Sequence, residues 1–392
     1  MRSVIKVFGW LLSPISMRFD KALGNPRQAQ RAVQQRLVHQ LKGCEYGQKY
    51  QIQHIDDWQR LPVITYADLQ SWIPASDALH NSKSKLTPEP VLFYEPTSGS
   101  SGPRKQIPYT RSLRRAFNHL FCLWAHDLIM NGPGFTRGKF YFSISPSFIK
   151  ADTPADAAQG TTDDADYLDP WLRWLLRPFL VMAPPTQTPE DFRDKLAQTL
   201  LKAANLEIVS IWSPSFLTAQ LGYIQQHSVR LAALLEGTIS PERVALLQQD
   251  TIDWAKLWPN LTLISCWDSV TAADGAAVLK AHFPHALVQG KGLLATEAPM
   301  TVPLVAAKGH VPLLTDVYFE FEGAEGQCHL LHQLTVGQTY EVIISQMGGL
   351  YRYRVGDRVK VTHYYRNTPC LQFVGRGNAV SDLVGEKLHL QF

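Results

Sequence analysis

Apolar residues at Ala29, Val33, Leu37 and Leu41 return at the one-face spacing of an α-helix, with Arg31, Arg36 and Lys42 on the wetter side. Asn25-Pro26 supplies a cap and a first-turn proline, and Gly43 a stop. Thr65 is placed to cap a second, short helix, and the polar, turn-rich stretch from Ser76 to Pro90 reads as a surface connection. The apolar run from Val91 to Tyr94 has the length of a buried strand. Thr110 or Ser112 then caps a long helix with Leu113, Phe117, Leu120, Phe121, Trp124 and Leu128 on one side, ended by Asn131-Gly132. An aromatic stripe at this spacing reads as core rather than as a stacking platform.

Strand and helix patterns alternate after that. A strand is expected from Lys139 to Ile144 and a helix from Glu190 to Ala204. A strand from Ile208 to Trp212 precedes a helix from Phe216 to Gln226, capped by Ser213-Pro214-Ser215. Residues 261–289 read strand, helix, strand. The stretch from Ala151 to Asp166 reads as a surface loop, its Asp163-Asp164 pair as solvated rather than metal-binding. Beyond Val302 the texture becomes short β-like runs: Val317 to Phe321, Thr339 to Ser345, Gly349 to Arg354, Arg358 to His363 and Leu371 to Val374. Gly356-Asp357, between two of these, has the form of a hairpin turn. The fold class is therefore mixed α/β with a β-rich last third, one large domain with subdomains rather than tandem domains.

Composition adds few constraints. Among 392 residues, 45% are hydrophobic and 18% charged, the make-up of an ordinary globular chain. A net charge of +4 gives no reason to expect nucleic acid or a membrane surface as the main partner. Five scattered cysteines without a C-x-x-C pair argue against a disulfide framework and a zinc knuckle, and thirteen histidines show no metal-ligand spacing. The apolar run from Val7 to Leu12 is too short for a secretory signal or a membrane span. It reads as a docking helix, weak membrane association being the second reading. A cytoplasmic, soluble protein is expected.

Four islands carry candidate chemistry. Thr97, Ser98, Gly99, Ser100, Ser101 and Gly102 form a hydroxyl- and glycine-rich loop followed by Arg104 and Lys105. Backbone amides, hydroxyls and cations in that order suit a polyphosphate, although the nucleotide P-loop pattern does not fit and a solvated turn is the plain alternative. The others are Ala295-Thr296-Glu297, Tyr351-Arg-Tyr-Arg-Val-Gly-Asp357, and the segment from Val374 to Leu388 containing Arg376. Each alone is weak.

Together, in this order, they resemble the adenylate-forming superfamily of acyl-CoA synthetases, peptide-synthetase adenylation domains and luciferases. The chain is more closely similar to the auxin-responsive (Gretchen Hagen type) acyl-acid amido synthetases, in their bacterial branch. That likeness rests on Asn25-Pro-Arg-Gln-Ala-Gln30, Leu61-Pro-Val-Ile-Thr-Tyr-Ala-Asp68, Trp258-Pro-Asn260, Tyr318-Phe-Glu-Phe321 and Gly349-Leu-Tyr-Arg-Tyr-Arg-Val-Gly-Asp357. The resemblance implies ATP and Mg²⁺. The triphosphate would lie along Thr97 to Lys105, with Arg104 or Lys105 neutralising the departing pyrophosphate. Thr296 would touch the α-phosphate, Glu297 would hold the metal, Asp357 would bind the ribose hydroxyls, and Arg376 would reach the ribose or phosphate at a hinge. The implied reaction is activation of a carboxylic acid as an acyl-adenylate, then transfer to an amine, usually an amino acid.

The resemblance also implies three parts: an N-terminal helical segment over 1–90, an adenylate-forming core over 91–375, and a hinge over 376–392 opening a small C-terminal lobe. The sequence stops at Phe392, where that lobe would begin, so a truncated form or a partner protein supplying the lobe is expected. Asn378 stands where many superfamily members carry an acidic hinge residue, Pro103 departs from the plant phosphate loop, and Lys387 reads as a solvated hinge residue. The acid pocket is not legible: Trp212, Phe216, Trp267 and Leu293 border it by analogy and are equally well explained as core. Two other readings stay open, an acyl-CoA or carrier-protein ligase using a thiol acceptor, and a catalytically silent nucleotide-binding module.

Overall fold

The helix expected after Asn25 spans Pro26–Leu41, and the Asn25 side chain accepts from Gln28 N (3.3 Å). Val33, Leu37 and Leu41 are buried, as the spacing requires. The computed structural model describes residues 2–73, 84–96, 105–136, 139–142, 177–184, 186 and 188–377. The expected loop from Ala151 to Asp166, with Asp163-Asp164, lies outside these. The chain divides into two compact units, Met1–Phe8 with Ile129–Lys291, and Gly9–Leu128 with Gly292–Phe392.

In the second unit, β1 (Val91–Pro96) pairs antiparallel with β2 (Gln106–Thr110) and leads into the long helix Arg111–Asn131. Of the two capping candidates, Thr110 does the work: Leu113 N donates to its Oγ1 (3.2 Å), while Ser112 donates to Glu89. Leu113, Phe117, Leu120 and Leu128 are buried, so the stripe is core.

The first unit holds a parallel sheet: β3 (Lys139–Phe142), β4 (Leu180–Val181), β5 (Leu206–Ser210), β6 (Leu263–Cys266) and β7 (Leu287–Gly290), in spatial order β4-β3-β5-β6-β7. Helices Pro189–Lys202, Pro214–Gln226 and Ala273–His282 stand where the patterns put them. Three shorter helices, Ser228–Leu235, Pro241–Leu247 and Trp254–Leu257, have no counterpart in the sequence reading; at four to eight residues they show too little periodicity. Trp258 donates through Nε1 to Leu200 O (3.2 Å), and buried Arg243 donates to Leu201 O (2.9 Å). Both side chains thus satisfy carbonyls left open at the end of helix Pro189–Lys202.

The remaining strands belong to the second unit. Two small hairpins, β8 (Leu294–Ala295) with β9 (Ala298–Pro299) and β10 (Thr301–Leu304) with β11 (Gly309–Pro312), precede a five-stranded antiparallel sheet. Its strands are β12 (Tyr318–Glu322), β13 (Cys328–Leu330), β14 (Thr339–Gln346), β15 (Leu350–Tyr365) and β16 (Thr368–Arg376), in order β13-β12-β14-β15-β16. Gln30 ties helix Pro26–Leu41 to this sheet. Its amide donates to Leu314 O (2.9 Å) and Val317 O (2.8 Å), and its carbonyl accepts from Phe319 N (2.8 Å).

One expectation is overturned here. Gly356-Asp357 is not a hairpin turn; the two expected runs form one sixteen-residue strand. A single partner, β14, pairs with both halves, from Thr339↔Lys360 to Gln346↔Leu350, and the register shifts twice on the way. The residues in excess are absorbed as bulges.

Candidate functional site

The stretch Tyr351–Asp357 lies on this doubly bulged strand. At the first bulge Arg352 adopts φ +48°, a left-handed conformation that an arginine keeps only when its surroundings hold it. They do. Its Nε donates to Glu320 Oε2 (3.0 Å), its Nη1 to Leu61 O (2.6 Å), and its backbone N to Ser345 Oγ (2.8 Å). Ile64 N donates to Arg352 O (3.0 Å) and Arg354 N to Ile64 O (2.8 Å). Leu61–Asp68 and Gly349–Asp357, two stretches of the family likeness, are therefore physical partners. Arg354 is held between Glu322 (Nη2 to Oε1, 3.0 Å) and Glu341 (Nη1 to Oε2, 2.7 Å), which raise its pKa. Both arginines are engaged by the fold.

The second bulge carries Gly356 and Asp357. Gly356 has φ +88° with open space around a would-be Cβ, so glycine is needed there for conformation, not for room. Asp357 lies opposite Arg376 in the β15–β16 register, and Arg376 Nε donates to Asp357 Oδ1 (3.1 Å). Gly377 N donates to Gly356 O (2.9 Å), fixing the crossing point. Asp357 is 7% exposed. Burial pushes its carboxyl up to about 6, opposed by Arg376 and reinforced by Glu297.

Lys105, just before β2, extends its ammonium between two groups: Nζ donates to the Tyr353 hydroxyl (3.2 Å) and lies 3.7 Å from Glu297 Oε1. Burial first, and then the Glu297 carboxylate, hold the Tyr353 phenol above its usual value. The segment carrying Thr296 and Glu297 is pinned by its backbone: Tyr109 Oη donates to Thr296 O (2.8 Å) and Gln346 Nε2 to Glu297 O (3.1 Å). Tyr66 Oη accepts from Gln106 N (2.6 Å), steadying the strand behind Lys105.

Lys105, Glu297, Asp357 and Arg376 are thus brought into one electrostatic neighbourhood from four segments. Thr97, Ser98, Gly99, Ser100, Ser101, Gly102 and Arg104 lie outside the described residues, as do Pro103, Asn378 and Lys387. Trp212 and Trp267, at the carboxyl ends of β5 and β6, stand 5.9 Å apart between ring centroids, whereas Phe216 stacks on Tyr141 and Leu293 is core. Tyr353, Tyr66, Tyr109 and Gln346 had not been singled out. The signal for Tyr353 and Tyr66 is their place inside stretches of the family likeness; Tyr109 and Gln346 show no such signal.

Among the described residues, no group of three or more His, Cys, Asp or Glu side chains is arranged to hold a metal by itself. Glu297 offers a single nearly buried carboxylate beside a cation, a set that fits a hard ion completing its shell with phosphate and water oxygens.

The GH3 family N-terminal domain matches residues 15–288, and the GH3 family central domain matches residues 310–376. The chain belongs to the GH3 family. Relatives include a 4-substituted benzoates-glutamate ligase, GH3.12 of Arabidopsis thaliana, 22% identical over 95% of this chain and 73% of its own length. An indole-3-acetic acid-amido synthetase, GH3.2 of the same plant, is 22% identical over 93% of this chain and 76% of its own. Among solved structures, the acyl acid amido synthetase AtGH3.15 in complex with 2,4-DB superposes with TM-score 0.73 at 20% identity, covering 96% of this chain and 71% of that one. A 2-hydroxyisobutyryl-CoA ligase with 2-HIB-AMP and CoA gives TM-score 0.52 at 15% identity over 92% and 69%. The mixed α/β fold of this GH3 chain is thus shared with adenylate-forming ligases.

Proposed function

We propose that this GH3 chain is an ATP-dependent ligase that activates a carboxylic acid as its acyl-adenylate and passes the acyl group to an amine. One observation carries the reading: Asp357, a buried carboxylate lifted to about 6 and faced by Arg376, in a chain of this family. A carboxylate so poorly solvated gains by accepting donors from a ligand, and a vicinal diol offers two. Asp357 holds the ribose hydroxyls of ATP and Arg376 reaches the ribose or phosphate. Thr97, Ser98, Gly99, Ser100, Ser101, Gly102 and Arg104 cradle the phosphates.

In the first step an oxygen of the substrate carboxylate bonds to the α-phosphorus and the bond to the β-bridging oxygen breaks, its electron pair leaving with pyrophosphate. Thr296 contacts the α-phosphate. Lys105 offsets charge that builds on the leaving group, a role that Glu297 and Tyr353 prepare by fixing its ammonium. Glu297 is the residue that would hold Mg²⁺, which neutralises phosphate charge when bound. In the second step the amine nitrogen bonds to the acyl carbon, the acyl–phosphate bond breaks, AMP leaves, and the amine proton passes to solvent. An amino acid is the acceptor the relatives' names favour. Residues from 376 onward act as the hinge between the two steps.

The test is carboxylate-dependent exchange of labelled pyrophosphate into ATP over aryl, indolic and fatty acids, with amide analysis after adding amino acids. Exchange with one acid class, and an amide product, is expected. Asp357→Ala should weaken ATP binding about a hundredfold, the worth of two hydrogen bonds to a charged acceptor. ATP binding unaltered in that variant would refute the ribose assignment; a thioester formed with coenzyme A, and no amide, would move the protein to the thiol-acceptor ligases.

A further inference from the structure

Helix Arg2–Gly24 buries one side and leaves the other apolar and open. Leu12, Phe19 and Leu23 are buried, while Trp10 is 78% exposed and Leu11 and Met17 are each 70% exposed. Wound at about 100° per residue, Trp10, Leu11, Pro14 and Met17 fall within about a third of the helix circumference, and all are exposed. Arg18 and Lys21 share that stripe, and both are exposed. Asp20 is the only acidic residue of the helix, and Arg366 takes it bidentately (Nε to Oδ1 3.1 Å, Nη2 to Oδ2 3.0 Å).

The end of the helix is fixed. Leu23 O accepts from Asn367 N (3.1 Å) and Thr368 Oγ1 (2.8 Å), and Gly24 O from Asn367 Nδ2 (2.8 Å). The turn between β15 and β16 therefore holds the stripe in one orientation. Among the described residues no helix is long and apolar enough to cross a membrane, so this helix is not a span.

We propose that this stripe seats the protein on an anionic lipid surface, the helix lying in the plane of the interface. Charge complementarity selects that occupant. Aliphatic and indole side chains suit the boundary between headgroups and acyl chains, and cations beside them, with the one acid neutralised, suit lipid phosphates. A second copy of this chain would bring the same cations together.

The test uses the full chain, sedimented with vesicles of phosphatidylcholine with and without phosphatidylserine. Wild type should pellet with the anionic vesicles, and less so as salt is added. Trp10→Ser with Leu11→Ser should weaken partition at least about tenfold, from lost apolar burial. Arg18→Gln with Lys21→Gln should weaken it about fivefold per charge, only on anionic vesicles. Both pairs are exposed, so pyrophosphate exchange and melting temperature should match wild type. Wild type staying in solution with anionic vesicles would overturn the proposal. So would serine and glutamine pairs that both pellet undiminished. Self-association abolished by the serine pair, without lipid binding, would assign the stripe to a second copy instead.

Discussion

The two ends of the bulged part of β15 carry the same chemical pair, an arginine and a carboxylate, in opposite states. At the closed end, Arg352 and Glu320 are 7% and 2% exposed, and Glu320 Oε2 also accepts from Trp58 Nε1 (3.2 Å). Glu320 Oε1 has no hydrogen-bond partner among the described residues. At the open end, Asp357 is as buried as Arg352, but its Arg376 is 60% exposed and meets it through one nitrogen. The closed pair fixes the strand. The open pair leaves a desolvated carboxylate hydrogen-bonded to one exposed cation, a costly arrangement unless a ligand completes it.

The difference is broken most directly by removing one carboxylate from each end. Glu320→Ala strands a buried guanidinium and should cost about 3–5 kcal/mol of unfolding free energy. Asp357→Ala leaves an arginine already in water and should cost little, while abolishing tight ATP binding. Urea midpoints decide. Equal losses at both positions would mean that the open end is structural too.

A pH series sharpens the same contrast. Asp357 has its folded-state pKa raised from 3.8 to about 6, so the folded protein holds that proton more tightly than the unfolded chain. Its contribution is therefore most favourable below pH 4 and is lost as pH rises through about 6, by roughly 3 kcal/mol in all. Asp357→Asn should lack this loss, so that the variant's stability relative to wild type climbs between those values and levels off above them. ATP affinity of the wild type should climb through the same window, because the ionised carboxylate is the better acceptor. A flat difference curve would mean that the carboxyl is not desolvated.

Why the two ends differ was only half legible in the sequence. The repeating Tyr-Arg and the Gly-Asp drew attention to the right seven residues, and apolar spacing placed most long helices and strands. The register did not show, because a bulge is a property of a strand and its partner. The two shifts of β15 depend on β14, and Arg352's conformation depends on Leu61 and Ile64, almost three hundred residues earlier. Gln30 makes the same point. In the sequence it is one polar residue in a resembling stretch; in the fold it closes three hydrogen bonds, to Leu314, Val317 and Phe319, where the chain enters β12. Resemblance located such residues, and only their long-range partners explain them.

The smallest expected effect tests the residue between the two ends. Tyr353 lies between the bulges, is fully buried, and accepts from Lys105, which is about one-third exposed. Tyr353→Phe deletes that hydrogen bond but keeps the ring, over which the ammonium lies 5.9 Å from the centroid, and keeps Glu297 as partner. Stability should fall by under about 1 kcal/mol, since a partly solvated donor regains water. If the phenol only positions Lys105, pyrophosphate exchange should slow a few-fold, and the loss should vanish in a Lys105→Met background, where nothing remains to position. A hundredfold loss that persists without Lys105 would instead put the phenol itself on the substrate and make the middle of β15, like its open end, part of the site.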